Sequence, residues 1–527
     1  MSELVGTATL TRFILRRDRV RILVWIGAVA ALMVLTAASV KGLYPTQADL
    51  DEAAAANHGN AAAIAINGPD QGLDTLGGQV AYQIGTFGLI AVALMSTFMV
   101  GRETRVEEEA GRFEMVRSMA VGRHASAVAA LIVVAGMNIV VGALVTLGLV
   151  GLGLPAAGAS VFGVSLIALG LVFAGIATVA AQVSDNARVA YGLTGVALGA
   201  AFVLRAAGDI GDGTLSWLSP IGWAQKTRPF AGDRWWPLLV MVAATVSLLT
   251  GAVALANRRD VGSGLIPPRP GPSRAAPRLG RPVGLALRLQ RGSVIGWSVG
   301  LFLIGVVYGA IANDVDEFVK DNETVRDVMA PGGGASITDS YLSRTLLIAA
   351  LLGAGYAISS AFRMRSEETA LRAEPVLATP VSRPRWVASQ LAVTLAGSVV
   401  VLAAAGLGTG LAYGLAAGDL GQVPRLVGAA LAYTPAVWVL VGLATALFGL
   451  APRSVFAPWA LLAVCFVVGL LDELLDLPTW IKDISPFEHT PSLPAADLAV
   501  APLAVLAALA AALAYAGFVG FRHRDVG

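Results

Sequence analysis

The chain reads as an all-α polytopic membrane protein, with about 12 transmembrane helices arranged as two parallel-oriented six-helix repeats. Three observations predict this. Hydrophobic residues fill 56% of the 527 positions and charged residues only 14%, where a soluble domain carries about 25% charged residues. Many apolar runs reach the roughly 20 residues a helix needs to cross the hydrocarbon. A charged segment that follows the second run recurs after the eighth, 260 residues later.

Taken in order, the expected spans of the first half are Ile22 to Val40, Val80 to Val100, Ala125 to Val150, Ser160 to Gln182, Val189 to Leu204 and Trp236 to Ala256. Those of the second half are Ser293 to Ala312, Leu342 to Ala361, Trp386 to Ala416, Val423 to Leu450, Val455 to Leu470 and Leu498 to Gly520. The first span follows a basic stretch, as a secretory leader would, but its apolar run exceeds the usual leader core of about 7–15 residues. It also has a partner: Arg16, Arg19 and Trp25 match Arg288, Arg291 and Trp297 at an offset of 272. It is therefore read as retained. Placing both termini in the cytoplasm puts 27 of the 37 Lys and Arg on the inner side, as the positive-inside rule requires. The expected location is the cell membrane. The outer loop from Ala206 to Trp235 fits least well, because it carries Lys226, Arg228 and Arg234.

The halves are expected at residues 1–260 and 284–527, joined by a linker at 261–283 rich in Pro, Gly and Arg. Such a composition does not build a packed core. Arg259-Asp260-Val261-Gly262 recurs as Arg524-Asp525-Val526-Gly527, and Ser219-Pro220 recurs as Ser485-Pro486. An even number of spans in each half would insert both the same way up, related by an axis along the membrane normal. In the outer loops Ala53 to Ile66 and Val325 to Ala330 read as short helices, each ended by Gly and Pro, that form lids or lie as solvated loop.

The repeated segment runs from Arg102 to Arg123 and from Phe362 to Arg383. Arg105, Glu107, Glu108, Ala110, Arg112, Glu114, Val121 and Arg123 match Arg365, Glu367, Glu368, Ala370, Arg372, Glu374, Val381 and Arg383. Topology alone asks for basic residues here, not for Glu at the same offsets. Acids first and a cation last suit the dipole of a short interfacial helix. Pro375 and Pro380 would hold the second copy to a turn or two. Such charges must meet water, headgroups or a protein partner.

On this pattern, EExxGRxExxxxxxVGR doubled in one twelve-span chain, the protein resembles the permease subunits of type-2 ABC exporters. It is similar, more narrowly, to the actinobacterial exporters of polyketide antibiotics, or tetronasin-resistance permeases. The resemblance covers the whole chain. It implies that Glu107, Glu108, Gly111, Arg112, Glu114 and Arg123 belong to a coupling helix resting in a groove of an ATPase, with Glu367, Glu368, Arg372, Glu374 and Arg383 in the second copy. The second copy departs at Leu371, Thr369 and Ser382, which replace Gly111, Glu109 and Gly122, so the two docking sites would bind unequally.

No GxxxxGK[ST] phosphate loop occurs. An ATP-driven reading therefore needs two separate ABC ATPase subunits, a homodimer or matched pair, holding the ATP and Mg. This chain itself would be neither enzyme nor cofactor carrier. It shows no HExxH or CxxC metal pattern and no nucleic-acid signature, and its histidines, His58, His124, His489 and His523, read as solvated loop residues. Cys465 reads as a buried apolar residue. No ionisable residue falls clearly at mid-depth, which argues against ion coupling, since a buried ion costs about 2.5–3.5 kcal/mol by insertion scales. Tyr82, Phe87, Phe98, Tyr356 and Phe362 are candidates for a lipophilic cargo path, with lipid-facing or packing roles as the plain alternative. Glycine spacings such as Gly142 to Gly148 and Gly406 to Gly410 read as helix packing. The competing readings are an ion-coupled twelve-span multidrug carrier and a membrane transferase using Asp472, Glu473, Asp476, Asp483 and Glu488.

Overall fold

The computed structural model describes residues 3–111, 121–259, 264–266, 273–312, 337–454, 456–475 and 478–524. Among the described residues every regular element is helical, and eleven helices are long and apolar enough to cross a bilayer. The chain is a multi-pass membrane protein. It divides into two compact units, Met1–Gly271 and Pro272–Gly527.

In the first unit, α1 (Thr7–Arg17) turns at Asp18 into α2 (Arg19–Leu43). Two short helices follow, α3 (Gln47–Asn57) and α4 (Ala61–Asn67). The single helix expected from Ala53 to Ile66 is thus two. Thr46 and Asp49 close a capping box on α3, and Asn60 caps α4 through the backbone N–H of Ala63. Then come α5 (Leu76–Gly101), α6 (Ala125–Gly151), α7 (Ala156–Val183), α8 (Ala187–Ile210), α9 (Pro220–Gln225) and α10 (Pro237–Ala256). Helix α7 is the axis of this unit and packs against α5, α6 and α10. At its crossing with α6, a Cβ on Gly142 would stand 2.7 Å from Gly163 O, and one on Gly163 2.6 Å from Gly142 O. The two backbones approach this closely only because neither residue has a side chain. Helix α8 outruns its expected end at Leu204, which places Arg205 inside a helix. Arg205 is fully buried and donates to Ile64 O at 3.0 Å and Ile66 O at 3.2 Å, so a cation closes the C-terminus of α4. It also lies over the Phe202 ring.

The second unit contains α11 (Pro282–Ile311), α12 (Ile337–Ala361), α13 (Arg363–Thr369), α14 (Ala373–Leu377), α15 (Arg383–Ala416), α16 (Gln422–Ala432), α17 (Thr434–Leu450), α18 (Ala457–Leu475) and α19 (Val500–His523). The expected single span from Val423 to Leu450 is broken into α16 and α17, because Pro435 has no N–H to continue the ladder. Helix α18 holds the eleventh expected span, but its apolar part, Ala457–Gly469, is short. Cys465 is fully buried in it. Helices α12, α15 and α17 form the core, with α11 along α15 and α19 along α17. A buried polar set joins three of these helices: Gln290 donates to Gln390 Oε1 at 2.9 Å, and Ser360 bonds both Gln290 and Thr394. The expected helix from Val325 to Ala330 lies outside the described residues.

Filling the α6–α7 crossing tests this packing. Gly142→Leu should lower stability by about 1–3 kcal/mol, as overpacking does, which is roughly 2–12 °C for a unit of this size. Gly136→Leu, where nothing lies within 4 Å of the new Cβ, should shift the thermal midpoint in detergent by far less.

Candidate functional site

The charged segment begins inside a membrane helix. After Gly101, α5 widens into a π-helical turn at Arg102–Val106 and runs on to Glu109, before Gly111 ends it at φ +72°. Glu107, Glu108 and Glu109 therefore stand at a helix C-terminus. This reverses the expected acids-first arrangement. Carbonyls crowd that end, and an added carboxylate there is unfavourable.

Arginines from distant parts of the first unit compensate. Arg17, ending α1, reaches Glu103 at 2.5 Å and Glu107 at 3.2 Å. Arg105 pairs with Glu108 one turn later. Arg259, just past α10, forks onto the same carboxylate at 2.9 and 3.1 Å, and its Nε donates to Gln182 Oε1 of α7 at 2.6 Å. Glu109 accepts from the backbone N–H of Ala187 at 3.1 Å, where α8 begins and an acid is favourable. Arg123 donates to Ala256 O at 2.8 Å. The ends of α5, α7, α8 and α10 are thereby tied at one place. Beside it Asp18, 4% exposed, holds Arg17, Arg21 and Arg102 at 2.7 to 3.2 Å. Burial opposes ionisation of the Asp18 carboxyl, yet hydrogen bonds from Arg17 and Arg102 hold its pKa below the usual value.

The second unit repeats these contacts at the matching positions. Arg365 pairs with Glu368 at 2.7 Å, and Arg524, just past α19, pairs with the other oxygen of that carboxylate. Arg524 also donates to Phe448 O at 2.7 Å and lies against the Phe448 and Phe521 rings. Arg383 donates to Arg524 O at 2.6 Å, as Arg123 does to Ala256 O. Glu367 is held by Arg363 at 3.6 Å and Arg372 at 3.0 Å. Leu371 takes φ +56°, the left-handed conformation its counterpart Gly111 takes freely.

The predicted docking residues thus separate into two groups. The side chains of Glu108 and Glu368 are only 10% and 9% exposed and are satisfied within their own units. With Glu107, Glu367, Arg123 and Arg383 they hold helices together, and of these six only Arg123 is exposed. The other group, Gly111, Arg372 and Glu374, is exposed, as are the neighbouring Glu109 and Leu371, which were not among the predicted docking residues. Arg112 and Glu114 lie outside the described residues.

The aromatic candidates do not form one lining. Tyr82 and Tyr356 are buried within their units. Phe98 stacks between Trp25 and Tyr191, Phe362 packs on Phe456, and Phe87 is exposed. Arg259 and Arg524 were visible in the sequence as a repeated Arg-Asp-Val-Gly, but nothing there named their carboxylate partners. His124 was expected in solvent and is 9% exposed. It sits at the start of α6, under the segment Glu3–Gly6, where its backbone N–H bonds Glu3 O at 3.2 Å.

The clamp is testable by removing one partner. Glu108→Ala should cost about 3 kcal/mol, because it leaves guanidinium groups buried without their carboxylate. Exposed Glu374→Ala should change stability by less than about 0.5 kcal/mol. Glu108→Ala and Arg259→Ala should combine less than additively, with a coupling of roughly 1 kcal/mol or more in chemical unfolding.

Comparison with known proteins shows the family of the chain. Residues 279–522 match the family described as "Multidrug efflux system permease Rv1217c, C-terminal domain". The whole chain aligns with the multidrug efflux system permease protein Rv1217c of Mycobacterium tuberculosis, 42% identical over 529 residues, covering 100% of this chain and 96% of that protein. With similarity running through both units and both clamps, the chain belongs to the Rv1217c family of efflux-system permeases.

Proposed function

We propose that this chain is the membrane-spanning permease of an ATP-driven ABC exporter that moves lipophilic drugs or antibiotics out of the cell. Two ATPase subunits, a homodimer or matched pair, would dock on its two charged elbows. The doubled clamp carries the reading. Each unit ties the end of one central helix to the end of its last helix through a buried carboxylate and an arginine fork. A surface loop needs no such bracing, whereas an elbow that receives force does. Under this reading the tips make the contact: Glu109 and Gly111 in one, Leu371, Arg372 and Glu374 in the other, with Arg112 and Glu114 near the first. The clamped residues Glu107, Glu108, Glu367, Glu368, Arg123 and Arg383 pass the push into the bundle.

Two further observations support it. The chain has no phosphate loop, so an ATP-driven mechanism needs the ATP held by another polypeptide. Its relative is named as an efflux-system permease. Both termini in the cytoplasm would put both elbows on the side where ATP is hydrolysed. The resemblance to the tetronasin-resistance permeases makes polyketide-like antibiotics the first cargo to try.

The test uses the chain with its ATPase in proteoliposomes. Arg372→Glu combined with Glu374→Lys should weaken ATPase binding about tenfold, some 1.4 kcal/mol, without unfolding the chain. Leu371→Gly should raise the unfolding midpoint by relieving a left-handed Leu, a strain of about 1–2 kcal/mol, and still weaken ATPase binding. Drug-stimulated hydrolysis unchanged by these variants would end the docking claim. Drug transport by the chain alone, driven by a pH gradient, would establish an ion-coupled carrier instead.

A further inference from the structure

At the far end of α7 from the first clamp, the loop before α10 gathers cations. Phe162 stands about 30 Å along α7 from Gln182, one hydrocarbon thickness. Beside Phe162 lies a cavity of about 50 Å³, lined by Asn67, Gln225 and Arg228. It is far too small for a drug-sized molecule but admits the oxygens of one anionic group. Arg228 is half-buried there. Among the described residues no carboxylate pairs with Arg228, Arg234 or Lys226; Lys226 Nζ lies 5.0 Å over the Trp217 ring. Burial and the neighbouring Arg234 charge hold the Arg228 pKa below its usual value. Two guanidinium groups thus stand near each other with nothing negative between them.

The loop is held in this arrangement. Arg228, Phe230 and Asp233 take φ of +48°, +61° and +44°, a strained conformation for residues with a side chain. The Phe230 N–H donates to Asp233 Oδ1 at 2.8 Å, and the Arg234 N–H to Thr227 O at 2.6 Å. The Phe230 ring is wedged between α5 and α7, where a Cβ on Gly77 or Gly158 would come within 2.6 or 2.2 Å of it. The cations therefore cannot simply drift apart. Nor does the fold require them. The offset that carries Ser219-Pro220 onto Ser485-Pro486 carries Lys226, Arg228 and Arg234 onto Ser492, Pro494 and Val500. The second unit closes without charge at these positions.

The surroundings of the cations are those of a membrane interface. Trp235 and Trp236, at the start of α10, are each 51% exposed, and Trp217 stacks on Trp236 at 5.2 Å. Exposed Leu239 follows one turn further on. Tryptophans at the end of a spanning helix settle at headgroup depth, and the leucine beyond them meets acyl chains. We propose that Lys226, Arg228 and Arg234 bind the phosphate of an anionic phospholipid such as phosphatidylglycerol, at the membrane face opposite the first clamp. The phosphate oxygens meet Arg228 at the cavity, and the acyl chains run along Trp236 and Leu239. A zwitterionic lipid would bring its ammonium toward the same cations, with no carboxylate to receive it, so the net-negative headgroup is preferred. A soluble anion shares the cations but gains nothing from the apolar rim. The site involves neither ATPase nor cargo, so it stands apart from the reading above.

The test is photo-crosslinking. Full-length chain in phosphatidylcholine vesicles receives a trace of phosphatidylglycerol bearing a diazirine in its acyl chain, and labelled peptides are mapped by mass spectrometry. Saturable labelling between Trp235 and Leu239 is expected, displaced by unlabelled phosphatidylglycerol and not by millimolar inorganic phosphate. Arg228→Gln combined with Arg234→Gln should weaken it about tenfold or more, with the thermal midpoint within a few degrees. If that pair does not fold, Arg234→Gln alone, at an exposed position, should weaken it about fivefold. Labelling undiminished in these variants, or not displaced by unlabelled phosphatidylglycerol, would overturn the proposal. Displacement by inorganic phosphate would overturn it too, in favour of a site for a free anion.

Discussion

A carboxylate at the carbonyl end of a helix cannot stand alone, and much of each unit is arranged around that fact. Glu108 and Glu368 sit there, nearly buried, and each needs a guanidinium that its own helix supplies only in part. The second guanidinium comes from just beyond the last helix of the same unit, at Arg259 or Arg524. The last helix must therefore finish on the face where the second span finishes. Chain direction then demands an even number of crossings per unit, so the ion pair and the span count constrain each other.

The two clamps use the same charges in different surroundings. Gly111 ends its helix in the left-handed conformation without strain, while Leu371 adopts nearly the same φ with a bulky side chain held 59% exposed. Beneath the clamps the contrast runs the other way. Small side chains leave room under Arg259, and rings fill the space under Arg524. One half is specialised at its tip and the other below its clamp.

The bilayer made most of the fold legible. Apolar length and arginine placement mark a helix regardless of its partners, which is why the span at Trp236 to Ala256 coincides with α10 to within a residue and that at Ile22 to Val40 lies inside α2, three residues short at each end. Hydropathy located the span from Val423 to Leu450 but not the break within it, where Pro435 divides it into two helices. The candidate site was half legible. Repetition pointed to Glu108, Glu368, Arg259 and Arg524, but repetition does not distinguish a residue that faces a partner from one that braces the fold. That distinction depends on contacts across 151 and 156 residues, beyond any local pattern. His124 was misplaced for a similar reason, since the segment that covers it comes from the far N-terminal end of the unit.

The two forks differ in what else their arginines hold. Arg524 also donates to a backbone carbonyl, Phe448 O, and lies against the Phe448 and Phe521 rings. A carbonyl within a helix cannot swing without unwinding the turn that holds it, so elbow and helix end move there as one body. Arg259 instead meets the side-chain oxygen of Gln182, which rotates about its own torsions at little cost. That side chain also lines an open groove between α6, α7 and α10. The second clamp is thus anchored on the backbone of its unit, and the first on a side chain.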